Sequence, residues 1–118
     1  REGKNIYPEE VERQVMQSPL VLECLAMGYR DSTDGAGERV GLIAVPNLEA
    51  LDLLEKDEEY SLSDEDIEKM VRENIRTCLE GLAEYKRPRR IEIRFNEFEK
   101  TTTQKIKRYL YAIDTTAE

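Results

Sequence analysis

The sequence predicts an α+β fold in which a small, mainly antiparallel sheet is flanked by helices. Helical and strand periodicities follow one another in the order helix, strand, strand, helix, helix, strand and short helix. A turn-rich connector with glycines between the first two strands favours an antiparallel hairpin. A chain of 118 residues is large enough for one hydrophobic core and too small for two. We therefore expect residues 1–118 to form a single domain.

The first half of the chain is predicted to contain one helix and two strands. Pro8 suits a first helical position, and the two glutamates after it would lie in the positive field of the helix start, which predicts a helix over about 8–17. Residues 20–28 and 39–46 are apolar at successive positions, as expected for strands that are covered on both faces. Residues 31–38 form the turn-rich connector between them.

From Asn47 onward, the chain is predicted to contain a short helix, a main helix, one strand and a final short helix. Ser63 has the character of an N-cap for the main helix over about 63–82. The apolar residues of that helix recur at helical spacing: Ile67, Met70, Val71, Ile75, Cys78, Leu79 and Leu82. Alternating polarity predicts a strand over 89–96 with one solvated face, and the last helix is expected over about 105–111.

Composition and charge exclude several classes of protein. The chain has a net charge of −8, but residues 86–108 carry nine positive and three negative side chains, a local net charge of +6. Few aromatic residues accompany this basic segment, so we do not predict a nucleic-acid-binding protein. No apolar run is long enough to span a bilayer and no signal-peptide pattern is present, which makes the cytoplasm the expected location.

The residue inventory also limits the chemistry. The chain contains no histidine, which excludes imidazole from any mechanism and leaves lysine, arginine, carboxylates or the backbone. Cys24 and Cys78 lie in apolar periodic segments and are predicted to be buried free thiols. The acidic stretch 57–68 has Leu62 where a calcium-binding loop needs glycine, so we interpret it as a helix start and predict no metal site.

Two short motifs near the ends of the chain carry the functional information. Residues 3–12 read GKNIYPEEVE and residues 100–108 read KTTTQKIKR, with about ninety residues between them. Together they resemble the carboxyl-terminal domain of AMP-forming adenylating enzymes, through the patterns G-x-N-I-x-P-x-E-[IV]-E and K-T-x-x-G-K-[IL]-x-R. Residues 85–88 also resemble the Y-K-x-P segment of that family.

The resemblance implies that this chain is the mobile carboxyl-terminal domain of an acid–thiol ligase, and that a large amino-terminal domain is absent from it. Such a ligase uses ATP, Mg²⁺ and coenzyme A to convert a carboxylic acid to an acyl-CoA through an acyl-adenylate. The sequence of residues 4–8 and the threonine-rich turn before Lys105 are most similar to those of long-chain fatty-acid CoA ligases. A lipid substrate would allow a peripheral membrane association. An adenylation domain that loads a carrier protein, and a stand-alone α+β interaction module, remain alternatives.

Lys105 is the candidate catalytic residue. Its ammonium is a mobile point charge that can neutralise phosphate and carboxylate oxygens. The alternative is that Lys105 has no catalytic role and belongs to an ordinary, solvated basic helix start. The resemblance implies that Lys105 reaches into the active site of the amino-terminal domain and contacts the carboxylate and the α-phosphate of ATP. Where the family has glycine, this chain has Gln104, which is less suited to a positive φ.

The candidate cofactor-binding residues are Gly3, Lys4, Lys86, Arg87 and Arg108. The resemblance implies that the Gly3 segment helps to form the coenzyme A passage, where Lys4 would meet pantetheine or phosphates; a hairpin glycine and a surface lysine are the alternatives. Lys86 and Arg87 either belong to a structural connection or meet the nucleotide phosphates of coenzyme A. On a helix Arg108 would lie about 60° from Lys105, where it would support the same anionic site or anchor the helix.

Overall fold

A computed structural model describes residues 7–30, 38–54 and 62–113. The helices are α1 (Pro8–Val15), α2 (Leu48–Leu54) and α3 (Asp64–Leu79), and the strands are β1 (Val21–Arg30), β2 (Glu38–Pro46) and β3 (Arg90–Ile93). Two short 3₁₀ turns follow α3 and β3, at Glu84–Lys86 and Arg108–Leu110. The element order agrees with the prediction up to β3, and the α+β class is confirmed.

The sheet has the strand order β1-β2-β3. β1 and β2 pair antiparallel from Val21 opposite Pro46 to Arg30 opposite Glu38, as the hairpin prediction requires. β3 pairs parallel to β2, which periodicity alone did not indicate. A parallel pair needs a long crossover, and here the segment that carries α2 and α3 supplies it. β3 is also shorter than predicted, because the backbone bond from Arg94 N to Ala44 O (2.8 Å) is its last link to β2 before the chain turns away.

Both faces of β1 and β2 are covered, which confirms the interpretation of their continuous apolar sequence. The helix-side cluster consists of Val11, Val15, Leu20, Val21, Cys24, Ala26, Leu42, Ala44, Leu51, Val71, Ile75, Leu79 and Leu82. The other cluster lies on the face covered by a carboxyl-terminal hairpin over residues 99–107, and we call it the hairpin-side cluster. It consists of Leu25, Tyr29, Ile43, Val45, Phe98 and Ile113. Thus α1 and α3 cover one face, and the carboxyl-terminal segment that carries the second motif covers the other.

The ends of the two longer helices follow from their local hydrogen bonds. Ser63 is the N-cap of α3, with a capping box in which Ser63 Oγ accepts from Asp66 N (3.1 Å) and Asp66 Oδ2 accepts from Ser63 N (3.2 Å). α3 ends at Leu79, three residues before the predicted end. The amides of residues 80–82 each bond to the carbonyl three positions earlier, which tightens the chain into turns. α1 likewise ends two residues early, at Val15.

Both cysteines are free, as predicted, but only Cys24 is fully buried. Burial, together with the nearby Glu12 carboxylate, raises the pKa of the Cys24 thiol to about 12, so it stays protonated at neutral pH. Cys78 is half-buried, and burial raises the pKa of its thiol as well. Within the described ranges, no helix combines the length and the apolar character that crossing a membrane requires.

Candidate functional site

The second motif folds as a tight hairpin rather than as a helix start. Lys100 and Ile106 form an antiparallel bridge, and Lys107 N donates to Glu99 O at 2.9 Å. The hairpin is closed at its tip by a bond from Thr101 N to Lys105 O (2.8 Å). We call residues 99–107 the lysine hairpin. The expected helix over 105–111 is therefore wrong, because backbone pairing holds residues 105–107 extended and only the 3₁₀ turn at 108–110 is helical.

The turn of the lysine hairpin depends on a left-handed residue. Gln104 N donates to Thr101 O at 2.9 Å, and Gln104 has φ of 67°, the one positive value found for a non-glycine residue in the described ranges. A tight turn followed by a left-handed residue is a standard three-residue hairpin loop. Gln104 thus adopts a conformation for which glycine is better suited, at some conformational cost.

Replacing Gln104 with glycine is expected to stabilise the chain. The substitution removes about 1–2 kcal/mol of left-handed strain from the folded state. It also increases the conformational entropy of the unfolded chain, which lowers the stability by about 0.4–1 kcal/mol. The free energy of unfolding should therefore rise by about 0.5–1 kcal/mol. Urea unfolding of the two proteins measures the difference. Thr103→Gly is the matched control, because Thr103 has no positive φ and its replacement should be destabilising. Equal effects of the two substitutions would contradict this account.

Lys105 has the most accessible ammonium group of the second motif. Its side chain is exposed, and within the described part of the chain it makes no ion pair. The other three cations of residues 100–108 all have carboxylate partners: Lys100 with Glu23 and Glu97, Lys107 with Glu99, and Arg108 with Glu12. The fold therefore fixes the surrounding charges and leaves Lys105 available at the hairpin tip.

Glu23 of β1 holds the first arm of the lysine hairpin. Its Oε1 lies 2.8 Å from Lys100 Nζ, and its Oε2 accepts from Phe98 N at 2.8 Å. The hydrogen bond to Glu23 raises the pKa of Lys100, opposed in part by desolvation. Phe98 itself is buried in the hairpin-side cluster, with its ring edge-on to Tyr111. Lys100 is consequently a structural anchor beside the exposed Lys105.

Arg108 anchors the end of the second motif to the end of the first. Its Nη2 donates to Glu12 Oε1 at 2.9 Å, and the hydrogen bond to Glu12 raises the pKa of the guanidinium. Because residues 105–107 are extended, the helical angle that would place Arg108 beside Lys105 does not apply. Of the two predicted roles, the contact favours anchoring, and a part for Arg108 in binding a cofactor stays a prediction.

Lys86 and Arg87 also have partners within the chain. Lys86 Nζ lies 3.0 Å from both carboxylate oxygens of Glu10 on α1, and this hydrogen bond raises its pKa. Arg87 Nε donates to Leu82 O at 2.9 Å, so the guanidinium caps carbonyl groups beyond the end of α3. These contacts give both residues structural roles, and their predicted binding of coenzyme A stays a prediction. Gly3 and Lys4 lie outside the described residues.

An arginine-lined cleft lies beside these two cations. It has a volume of about 290 Å³ and is lined by Arg39, Val40, Glu84, Tyr85, Arg87 and Arg89. The start of β2 supplies Arg39, and the bond from Arg89 N to Val40 O (2.8 Å) holds the 84–89 segment against that strand. Sequence reasoning singled out the basic segment but not Arg39, since no local pattern connects residues fifty positions apart. Three of its six lining residues are arginines, a residue type whose guanidinium group suits phosphate oxygens.

Comparison with known protein families identifies the domain. The family model for the AMP-binding enzyme C-terminal domain matches residues 10–105. The chain belongs to this family. The match includes α1 from Glu10 onward, the whole sheet and the lysine hairpin through Lys105. The comparison with curated protein sequences found no match.

Solved structures of similar fold include several adenylate-forming ligases. An anthranilate CoA ligase, AuaEII, in complex with anthranoyl-AMP is 29% identical, with a TM-score of 0.62 over 92% of this chain and 18% of its own. A benzoate CoA ligase from Burkholderia xenovorans LB400 is 25% identical, with a TM-score of 0.57 over 92% and 18%. A fatty acyl CoA synthetase from Mycobacterium tuberculosis is 24% identical, with a TM-score of 0.60 over 92% and 17%. This AMP-binding enzyme C-terminal domain thus spans less than a fifth of their lengths.

Proposed function

We propose that this chain is the carboxyl-terminal domain of an acid–thiol ligase, joined to a large amino-terminal domain that holds most of the nucleotide and Mg²⁺ contacts. The ligase would activate a carboxylic acid with ATP to an acyl-adenylate and transfer the acyl group to coenzyme A. The observation that carries the proposal is the exposed ammonium of Lys105 at the hairpin tip, which has no ion-pair partner among the described residues. The neighbouring cations Lys100, Lys107 and Arg108 are all paired. This arrangement supports a role for the domain in the adenylation step.

Lys105 would act by electrostatic stabilisation. Attack of a carboxylate on the α-phosphorus brings two anions together, and negative charge increases on the phosphoryl oxygens. An ammonium that is already in place stabilises that charge without reorganisation of solvent. The exposed position of Lys105, with no competing carboxylate among the described residues, fits this task. Its intramolecularly paired neighbours Lys100 and Arg108 would keep the hairpin oriented rather than contact the substrate.

The arginine-lined cleft is the proposed contact for the nucleotide end of coenzyme A. Coenzyme A carries several phosphate groups, and guanidinium groups bind phosphate through paired N–H donors. Arg39, Arg87 and Arg89 line the cleft, whose remaining charged residue is Glu84. This donor set fits a phosphorylated ligand. Lys86 would contribute to the local positive potential, although its ammonium is bonded to Glu10.

A long-chain fatty acid is the proposed acid, because residues 4–8 resemble the corresponding segment of long-chain fatty-acid CoA ligases. An aryl acid is the second candidate, because the 29%-identical structure is an anthranilate CoA ligase. A carrier protein in place of coenzyme A remains the alternative acceptor. The test is acid-dependent pyrophosphate release by the full-length ligase with palmitate, anthranilate and benzoate, followed by thioester formation with coenzyme A. Failure of every acid to release pyrophosphate would overturn the proposed function.

Replacing Arg89 with alanine should weaken coenzyme A binding without affecting adenylation. Loss of one charge-assisted phosphate contact is expected to raise the KM for coenzyme A about tenfold. Pantetheine, which has the thiol but lacks the nucleotide, serves as the matched substrate control, and its KM should be unchanged. An equal rise for both thiols would mean that Arg89 acts on the structure of the domain rather than on the nucleotide.

A further inference from the structure

Glu12, the last residue of the first motif, joins three parts of the domain through one carboxylate. It lies on α1 and its side chain is only 15% exposed. Its Oε2 accepts from Ala26 N of β1 at 2.8 Å, and its Oε1 accepts from Arg108 Nη2 at 2.9 Å. Both oxygens are therefore engaged by groups far away in the sequence, and neither bond is local to α1.

The bond to Glu12 pairs one backbone amide, that of Ala26, at the open edge of the sheet. β1 is an outer strand, since it pairs with β2 and no other strand among the described residues. The Ala26 amide donates to Glu12 rather than to β2, so the bond pairs a backbone donor that has no strand partner at this edge. By accepting this bond, Glu12 fixes its own carboxylate at the sheet edge, close to where the chain leaves the lysine hairpin. The second oxygen then provides a fixed point for Arg108.

The two arms of the lysine hairpin are thus held by two carboxylates. Glu23 binds Lys100 on the incoming arm, and Glu12 binds Arg108 immediately after the outgoing arm. Lys105 lies between these anchors, three residues before Arg108, and has no side-chain partner of its own among the described residues. The direction of its ammonium consequently depends on where the two anchors hold the backbone.

We propose that Glu12 is a positioning residue for Lys105, which it orients through Arg108 without touching substrate. This proposal rests on the proposed function, because it concerns the orientation that adenylation requires. The Glu12–Arg108 pair is partly exposed, with 48% of the Arg108 side chain and 15% of the Glu12 side chain accessible, so solvent screens it and its contribution to overall stability is modest. Small displacements of a reacting group can nevertheless reduce the rate by up to about a hundredfold. The pair therefore affects rate more than folding.

The kinetic test uses Glu12→Gln in the full-length ligase. Glutamine keeps an oxygen acceptor for Ala26 N but removes the charge that holds Arg108. We expect the kcat of acid-dependent pyrophosphate release to fall about tenfold, with the KM for ATP and acyl transfer from supplied acyl-adenylate unchanged. Arg108→Met should have the same effect, the double variant should be no worse than either single one, and Arg108→Lys should retain most of the activity.

Glu68→Gln is the matched control, because Glu68 pairs with Arg72 on α3, outside both motifs. It should behave as the parent protein. An unchanged kcat in Glu12→Gln would overturn the proposal. So would equal losses in both half-reactions with a lowered Tm, which would indicate a merely structural role.

A second measurement tests, independently of activity, whether Glu12 and Arg108 hold the lysine hairpin in place. In this 118-residue chain, hydrogen exchange should become about tenfold faster across residues 99–107 in Glu12→Gln and in Arg108→Met, and not in Glu68→Gln. The Lys107 amide, which bonds to Glu99 O, is the most direct reporter. Unchanged exchange would overturn the proposal even if the ligase is active. A parent enzyme that releases no pyrophosphate would instead overturn the proposed function, while the exchange result still decides the coupling.

Discussion

In the proposed full-length ligase, Lys105→Ala is expected to slow adenylation by about 10²–10³-fold, by analogy with the removal of one preorganised charge-stabilising donor. Acyl transfer to coenzyme A from supplied acyl-adenylate should be retained, because the charge on the α-phosphate that Lys105 would neutralise develops only in the first step. The measurement is the single-turnover rate of acid-dependent pyrophosphate release beside the rate of thioester formation. Loss of the first rate alone would support the assignment of Lys105.

Lys107→Ala is the matched control for Lys105→Ala. It removes the same charge from the same hairpin, but the Lys107 ammonium lies 3.8 Å from the Glu99 carboxylate, whereas Lys105 has no ion-pair partner in the part of the chain that the structure describes. Adenylation by Lys107→Ala should stay close to that of the parent. Equal losses in the two variants would indicate that the net charge of the hairpin matters and that Lys105 has no individual role.

Phe98→Ala is expected to cause the largest loss of stability among changes near the hairpin. Phe98 is 3% exposed and lies in the hairpin-side cluster with Ile43 and Val45. Its ring packs edge-on against Tyr111 with a centroid distance of 4.8 Å. Truncation of a buried phenylalanine typically costs about 3–5 kcal/mol through lost transfer energy and an unfilled cavity. Urea unfolding of this chain should show a decrease of that size.

Phe95→Ala provides the comparison for Phe98→Ala. Phe95 is three residues earlier and only half-buried, so its truncation should cost clearly less. A loss at Phe95 as large as the loss at Phe98 would contradict the assignment of Phe98 as the apolar anchor of the hairpin. Because Phe98 lies beside the Glu23 and Lys100 contacts, Phe98→Ala should also slow adenylation in the full-length ligase.

Several features of the fold were predictable because they depend on neighbouring residues. The periodicity of Ile67 to Leu79 and the N-cap at Ser63 predicted α3, and the capping box confirms where it begins. The continuous apolar sequences of β1 and β2 predicted strands covered on both faces, and both faces are buried. These signals are local, because side chains return to the same face of a helix or strand at a fixed spacing along the sequence.

Other features could not be predicted locally, because pairing between distant segments overrides local preference. The helix predicted over about 105–111 does not form, because the Lys100–Ile106 bridge and the left-handed Gln104 hold residues 105–107 in a hairpin arm. β3 lies parallel to β2 because the crossover through α3 returns the chain in that direction. Neither result can be derived from the sequence of the segment itself.

The sequence by itself determined the α+β class, the two motifs and the candidacy of Lys105, because motif spacing and periodicity are properties of the linear chain. Only the tertiary structure decided which cations are available. Lys100 and Arg108 belong to the same basic motif as Lys105, but they are paired with Glu23 and Glu12, which come from the opposite end of the chain. A cation is free or paired according to which carboxylates the fold brings within a few ångströms, and that depends on the path of the whole chain.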